Sequence, residues 1–276
     1  MPRGKRKNKK SVEELVENVQ NSFSKDAILG NDPSLFMKRI PTGIFVLDRI
    51  LGGGFVRGKM HTLFGKYSQG KTTIAYFFIA NAQKVIPNLK CAIIDVEHRY
   101  EPEYPEKIGI DTSKIEIYRP AYGEEAMDKI IQLVKENYDI VVLDSVAAIA
   151  PKAQIETSVS DKFMGGKPRL LNQSFENIIP SNNTTVLILL NQLRHNIGSA
   201  RNPGIDKTMP GGEGIYHFSH LVAEVSREGW ITPGTKKESV GFNIRFFVTE
   251  KSTICIPMKE CIIPFNFEEA KIDVKI

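Results

Sequence analysis

The chain has 276 residues, of which 41% are hydrophobic and 25% charged, with three cysteines and a net charge of +5. This is enough chain for one large domain or two small ones with a sizeable core, and the composition excludes a fibrous, low-complexity or disulfide-stapled protein. No apolar run approaches the roughly 20 residues of a membrane span, and the N-terminus carries no segment of signal-peptide type. Cys91, Cys255 and Cys261 lie in or beside strand-like apolar runs without metal-ligand spacing. That pattern points to a reducing, cytoplasmic setting, with neither a disulfide framework nor a zinc site.

In chain order, the first segment is MPRGKRKNKK, residues 1–10, which holds six Lys/Arg and no acid. The remaining 266 residues therefore carry 31 basic against 32 acidic groups, so the basicity belongs to a tail and not to the body. Such a tail reads either as a solvated, disordered arm or as a sequence-independent contact to phosphate backbones. SVEELVENVQNSF follows with apolar residues at helical spacing, Ser11 as N-cap and Glu14 completing a capping box. The next piece, SKDAILGNDPS, is strand-like and ends in turn residues. Residues 11–38 are too few for a core of their own and must pack on something else.

From residue 39 to 276 strands and helices alternate. KMHTLFG reads as a strand, GKTTIAYFFIANAQKVI as a helix, KCAIIDVE and KIEIYRP as strands, and GEEAMDKIIQLVKENY as an amphipathic helix. DIVVLDS is again a strand, PRLLNQSFENIIP helical, and TTVLILLNQ a strand. Continuous β-branched runs separated by helices indicate an α/β fold with a mostly parallel, twisted sheet covered on both faces. Beyond residue 216, HLVAEVSRE, GFNIRFFVTE and TICIPMKECIIPF read as antiparallel edge strands.

Three strand ends carry chemistry. GKYSQGKT, residues 65–72, matches the phosphate-binding pattern G-x-x-x-x-G-K-[ST] between a predicted strand and a predicted helix. Gly65, Lys66, Tyr67, Ser68, Gln69 and Gly70 form the wrapping backbone, Lys71 reaches the terminal phosphates, Thr72 supplies a hydroxyl for Mg²⁺, and Thr73 continues the helix. IVVLDS ends on Asp144, a second oxygen ligand for Mg²⁺ or a strand-ending turn former. AIIDVEHRY places Asp95 and Glu97 two residues apart on one strand face, and Glu97, nearer the C-terminal end, is the candidate to activate a water. The other reading of Glu97 is a carboxylate capping the next segment.

GKYSQGKTT, IIDVEHRYEPEYPEKIGID, VVLDSVAAIAPKAQIE and LILLNQLRHNIG…GG resemble, in order and spacing, the nucleotide-binding core of bacterial RecA and the RecA-like phage recombinases, from about residue 11 to the C-terminus. The resemblance implies a RecA-type P-loop NTPase core with a small N-terminal helix-strand segment that docks on a neighbouring protomer. It also implies ATP and Mg²⁺ as cofactors, Glu97 as catalytic base, and Gln192 as γ-phosphate sensor. Tyr104 would stack on adenine with Glu101 beside the base and Phe267 as a second aromatic, and Lys251 would reach a neighbour's nucleotide in trans. Two DNA-binding loops follow from it. Residues 157–169 carry Lys162, Met164, Gly165, Gly166, Lys167 and Arg169, and residues 193–212 carry Arg194, His195, Asn196, Arg201, Lys207, Gly211 and Gly212; Met164 and Ile197 are the wedge candidates. Basic and small residues there suit phosphate contacts that ignore base sequence.

The chain stops shortly after the core, where bacterial members continue into a C-terminal domain, and FVTEKSTICIP offers one interface lysine where the family uses two. The activity this implies is an ATP-hydrolysing recombination protein that forms filaments on single-stranded DNA and pairs it with double-stranded DNA. Single-strand-binding and loader proteins are the helpers such a filament would meet. The location is the bacterial cytoplasm or nucleoid, or a phage-infected cell. Alternatives are a hexameric helicase on the same core, a recombination accessory with little turnover, and a small-metabolite kinase, which would leave the two basic loops without a role.

Overall fold

A computed structural model describes residues 32–156, 166–195, 207–233 and 238–272. The basic tail and the helix expected from Ser11 lie outside the described residues. Residues 32–37, with a single 3-10 turn at Pro33–Leu35, fall in a unit separate from the one that begins at Lys38.

In that second unit a short antiparallel pair, β1 (Arg39–Ile40) and β2 (Phe55–Val56), brackets α1 (Phe45–Leu51). The sheet is built from β3 (Met60–Gly65), β4 (Cys91–Asp95), β5 (Ile115–Tyr118), β6 (Ile140–Asp144), β7 (Val186–Gln192), β10 (Leu221–Ile231), β11 (Gly241–Ser252), β12 (Glu260–Asn266) and β13 (Lys271–Ile272). β8 (Arg194–His195) and β9 (Lys207–Thr208) form a separate ribbon. The nine strands stand in the order β13-β12-β11-β10-β3-β7-β6-β4-β5, parallel from β10 to β5 and antiparallel from β10 to β13.

The unbroken apolar runs have a simple cause: both faces of the sheet are buried. Leu63, Ile93, Val142 and Ile188 pack with Ile74, Phe78 and Ile79 of α2 (Lys71–Val85). The alternate residues Ile94, Val141, Leu187 and Leu189 pack on the other face with Ile130 of α4 (Gly123–Lys135) and Phe175 and Ile178 of α6 (Gly166–Ser181). Short helices α3 (Glu103–Ile108), α5 (Lys152–Glu156) and α7 (Glu213–Phe218) complete the α-helices among the described residues, beside 3-10 turns at Thr112–Lys114 and Val146–Ala148. The register sets Gly65 beside Gln192 and Asp95 beside Asp144, so the C-terminal ends of β3, β7, β6 and β4 open along one edge. In parallel sheets that edge is where ligands bind.

Two sequence-based expectations are corrected. β10 is not an antiparallel edge strand: it pairs in parallel with β3 from Leu221↔His61 to Glu224↔Phe64 before running on as a hairpin with β11. Its polar second half, which lies beyond β3, disguised an interior first half. TICIPMK is not a strand either; Pro257 cannot donate to a ladder, Met258 has φ 59°, and β12 starts only at Glu260.

His61 is buried within β3, edge-on to Phe55 at 5.1 Å, with Nε2 accepting from the Val56 N–H at 3.3 Å. Burial, reinforced by the nearby His220, lowers its pKa to about 3. Burial together with Lys59 and Lys251 lowers His220 to about 4. Both groups titrate lower in the folded chain than in the unfolded one, so their contribution to stability is complete above about pH 6.5 and is lost as pH falls from there. Denaturant unfolding from pH 7 to pH 4 should show stability falling, and His61→Gln should reduce that slope by about one proton taken up on unfolding.

Candidate functional site

The loop between β3 and α2 is shaped by two glycines. A Cβ on Gly65 would sit 2.0 Å from the Val225 carbonyl, so only glycine lets β3 end this close to β10. Gly70 has φ 95°, and a Cβ there would meet Ile244 at 2.7 Å. Gly70 also caps α2 without a side-chain hydrogen bond, leaving the first N–H groups of a 15-residue helix directed at the loop. The Lys71 ammonium donates to the carbonyls of Gly65 (3.1 Å) and Lys66 (2.7 Å), so the loop curls around its own cation. Burial lowers the Lys71 pKa to about 8 despite the opposing pull of Asp144 and Glu97.

A cleft of about 350 Å³ opens above this loop. It is lined by the loop from Tyr67 to Thr73 and by Glu97, Glu101, Tyr104, Asp144 and Gln192, so side chains from four separate sequence motifs converge on one space. Thr72 Oγ1 donates to Asp144 Oδ2 at 3.0 Å. Burial raises the Asp144 pKa to about 6; the Thr72 hydrogen bond and Lys71 act against this, and the carboxylates of Glu97 and Asp95 add to it. Among the described residues no three His, Cys, Asp or Glu side chains form a metal cluster. The hydroxyl–carboxylate pair of Thr72 and Asp144 suits a hard cation that takes its other ligands from phosphate and water.

Asp95 and Glu97 part company. β4 stops at Asp95, whose side chain turns inward to accept from the N–H groups of Arg99 and Tyr100, each at 3.0 Å, and from Arg119 at 3.2 Å. Glu97 is therefore not on the strand face but in the turn that Asp95 anchors, where His98 has φ 55°. Its Oε1 accepts from Ser145 Oγ and from Gln192 Nε2, and its Oε2 pairs with Arg99 at 3.0 Å. Ser145 and Arg99 were not foreseen. Ser145 follows the Asp144 that stands beside Asp95 in the sheet, so strand adjacency was the signal that would have found it.

Tyr104 shares a 2.7 Å hydrogen bond with Thr73 Oγ1 and tilts against Tyr76 at 5.8 Å. Phe267 does not line the cleft; it is half exposed in a cluster with Trp230, Phe242 and Phe265. Lys251 does not line it either, and its ammonium donates to the His217 carbonyl of the same chain at 3.3 Å.

Of the loop residues, Lys162, Met164, Gly165, Asn196, Ile197 and Arg201 lie outside the described residues. The first loop is shorter than expected at its C-terminal side. Gly166, Lys167 and Arg169 begin α6, with Pro168 in its first turn where no N–H is needed, and Lys167 donates to the Ala147 carbonyl at 2.7 Å. The second loop is stapled at its base: Arg194 pairs with Thr208 and His195 with Lys207, and Asn191 Nδ2 donates to the Pro210 carbonyl at 2.8 Å. Gly211 and Gly212, with φ of 104° and 75°, turn the chain into α7.

A family model described as the RecA N-terminal domain matches residues 10–271. The chain is 34% identical over 266 residues to Protein RecA of Thermus aquaticus, covering 94% of this chain and 76% of that one. It is 34% identical over 258 residues to Protein RecA of Aquifex aeolicus, with coverages of 91% and 73%. Protein RecA of Mycobacteroides abscessus is 35% identical over 257 residues, with coverages of 91% and 72%. The chain belongs to the RecA family. Membership makes it a recombination protein and a DNA-dependent ATPase, working on DNA as an oligomeric filament.

The half-buried Asp144 carboxylate, desolvated at the foot of the cleft, is a cost carried by the RecA fold. Its folded pKa lies above the unfolded one, so the cost sets in as pH rises from about 4 to about 6 and is full above that. Asp144→Asn should raise the melting temperature of the nucleotide-free, metal-free chain by a few degrees at pH 7.5 and by nothing at pH 3.5. Differential scanning calorimetry at the two pH values checks this.

Proposed function

We propose that hydrolysis of ATP in this cleft is coupled to the grip on DNA through Gln192. The observation that carries the reading is the hydrogen bond from Gln192 Nε2 to Glu97 Oε1, which ties the base of the second loop to the carboxylate facing the cleft.

In this mechanism the loop amides and the N-terminus of α2 bind the phosphates, and Lys71 leaves its two carbonyl partners to take the terminal ones. Tyr104 and Glu101 hold the adenine side. Glu97 orients a water and takes its proton as the water oxygen bonds to the γ-phosphorus and the bond to the ADP oxygen breaks. Mg²⁺, held by Thr72 and Asp144, would supply charge neutralisation of the phosphates. Burial of Asp144 among carboxylates favours such a cation. Lys251 would reach the nucleotide of a neighbouring protomer.

Loss of the γ-phosphate changes what Gln192 can bond to, and the change passes directly into Leu193, Arg194 and the stapled loop beyond. The DNA contacts would come from Lys162, Met164, Gly165, Gly166, Lys167 and Arg169 on the first loop. On the second they would come from Arg194, His195, Asn196, Arg201, Lys207, Gly211 and Gly212. Filaments on single-stranded DNA would pair it with double-stranded DNA, in the cytoplasm or nucleoid of a cell or phage-infected cell, with single-strand-binding and loader proteins as helpers.

Glu97→Gln should cut ATP turnover by at least about 10²-fold while nucleotide binding persists, and Lys71→Ala should abolish binding itself. Steady-state hydrolysis and equilibrium binding of ATP check both. Turnover undiminished in Glu97→Gln would remove Glu97 from the role of base.

A further inference from the structure

Arg99 is unaccounted for by the roles above. Two cations line the cleft, Lys71 and Arg99, against the carboxylates of Asp95, Glu97, Glu101 and Asp144. Lys71 is buried and held by two carbonyls, whereas the Arg99 side chain is 78% exposed and its guanidinium rests on Glu97 Oε2 at 3.0 Å. An ion pair this open to water is weak and easily exchanged. The backbone beneath it is not loose: the Asp95 carboxylate, 3% exposed, holds the N–H groups of Arg99 and Tyr100. A turn pinned by Asp95 thus presents an exposed, five-donor fork at the cleft.

Glu97 Oε1 is engaged by Ser145 and Gln192, so Oε2 is the oxygen left to receive a proton from water, and Arg99 stands on it. In hydrolysis one water separates the base from the transferred phosphoryl group. A guanidinium that lines the cleft and touches the base is therefore within side-chain reach of that phosphoryl group.

We infer that Arg99 is a catalytic residue of this chain, exchanging its ion pair with Glu97 for the γ-phosphoryl oxygens in the course of hydrolysis. The move does two things at once. It frees Oε2 to accept the proton of the attacking water, and it places a bidentate donor on the group where negative charge spreads as the bond to ADP breaks. The inference rests on Glu97 being the base.

The experiment is steady-state ATP hydrolysis on saturating single-stranded DNA for Arg99→Ala, Arg99→Lys and Glu97→Gln, with thermal melts to verify folding. Arg99→Ala should lower kcat at least about tenfold with KM for ATP changed by no more than about threefold. Arg99→Lys should recover part of kcat, since it restores charge without the fork. A kcat in Arg99→Ala equal to or above that of the parent overturns the inference, an increase meaning that Arg99 merely blocks the base. A loss confined to KM overturns it as well. If Glu97→Gln still turns over, the underlying reading of Glu97 has failed; if it is inactive while Arg99→Ala is unimpaired, only the role of Arg99 has failed.

Discussion

Everything in this cleft turns on where the Glu97 carboxylate is held. Its Oε1 receives hydrogen bonds from Ser145 and Gln192, so residues just past β4 and β6 and the last residue of β7 meet at one oxygen. The parallel register makes the meeting possible by setting those three strand ends side by side. A hydrogen bond to a charged group contributes about 1.5–3 kcal/mol, the size of coupling energies that change an affinity tenfold or more. One bond of this kind is strong enough to transmit a nucleotide state and weak enough to be exchanged.

The electrostatics impose a second constraint. Four carboxylates crowd a cleft that must accept a highly charged anion. The fold manages this by using them differently. Asp95 is withdrawn to build the turn, Asp144 sits half-buried against Thr72, and Glu97 lines the cleft with its Oε1 held by Ser145 and Gln192. Lys71 is charged near neutral pH, yet burial has brought it close to losing its proton. On the proposed reading, a cation and the nucleotide together would balance these charges, which would tie the chemistry to ligand binding.

Much of this was legible in the sequence because the signals are local. The glycine and lysine spacing of the loop and the apolar runs ending in Asp144 and Gln192 sit where their patterns place them. What failed was whatever depends on neighbours distant in sequence. β10 looked like an edge because half of its residues are polar, yet its first turns of chain lie against β3. Glu97 looked like a strand residue because period-two spacing does not reveal that Asp95 ends the strand by folding back on Arg99 and Tyr100. The second loop reads as a loop from its basic and small residues, but its base is closed by backbone pairing that needs no particular side chains. Ser145 and Arg99 belong to no spacing pattern and emerge only when the strand ends are side by side.

The central claim is that Gln192 links the DNA loop to the catalytic carboxylate. The most direct measurement is the ratio of ATP hydrolysis rates with and without saturating single-stranded DNA in Gln192→Ala. The ratio should fall toward one, because DNA bound at the loop then has no hydrogen bond through which to reach Glu97. A ratio as large as that of the parent chain would contradict it.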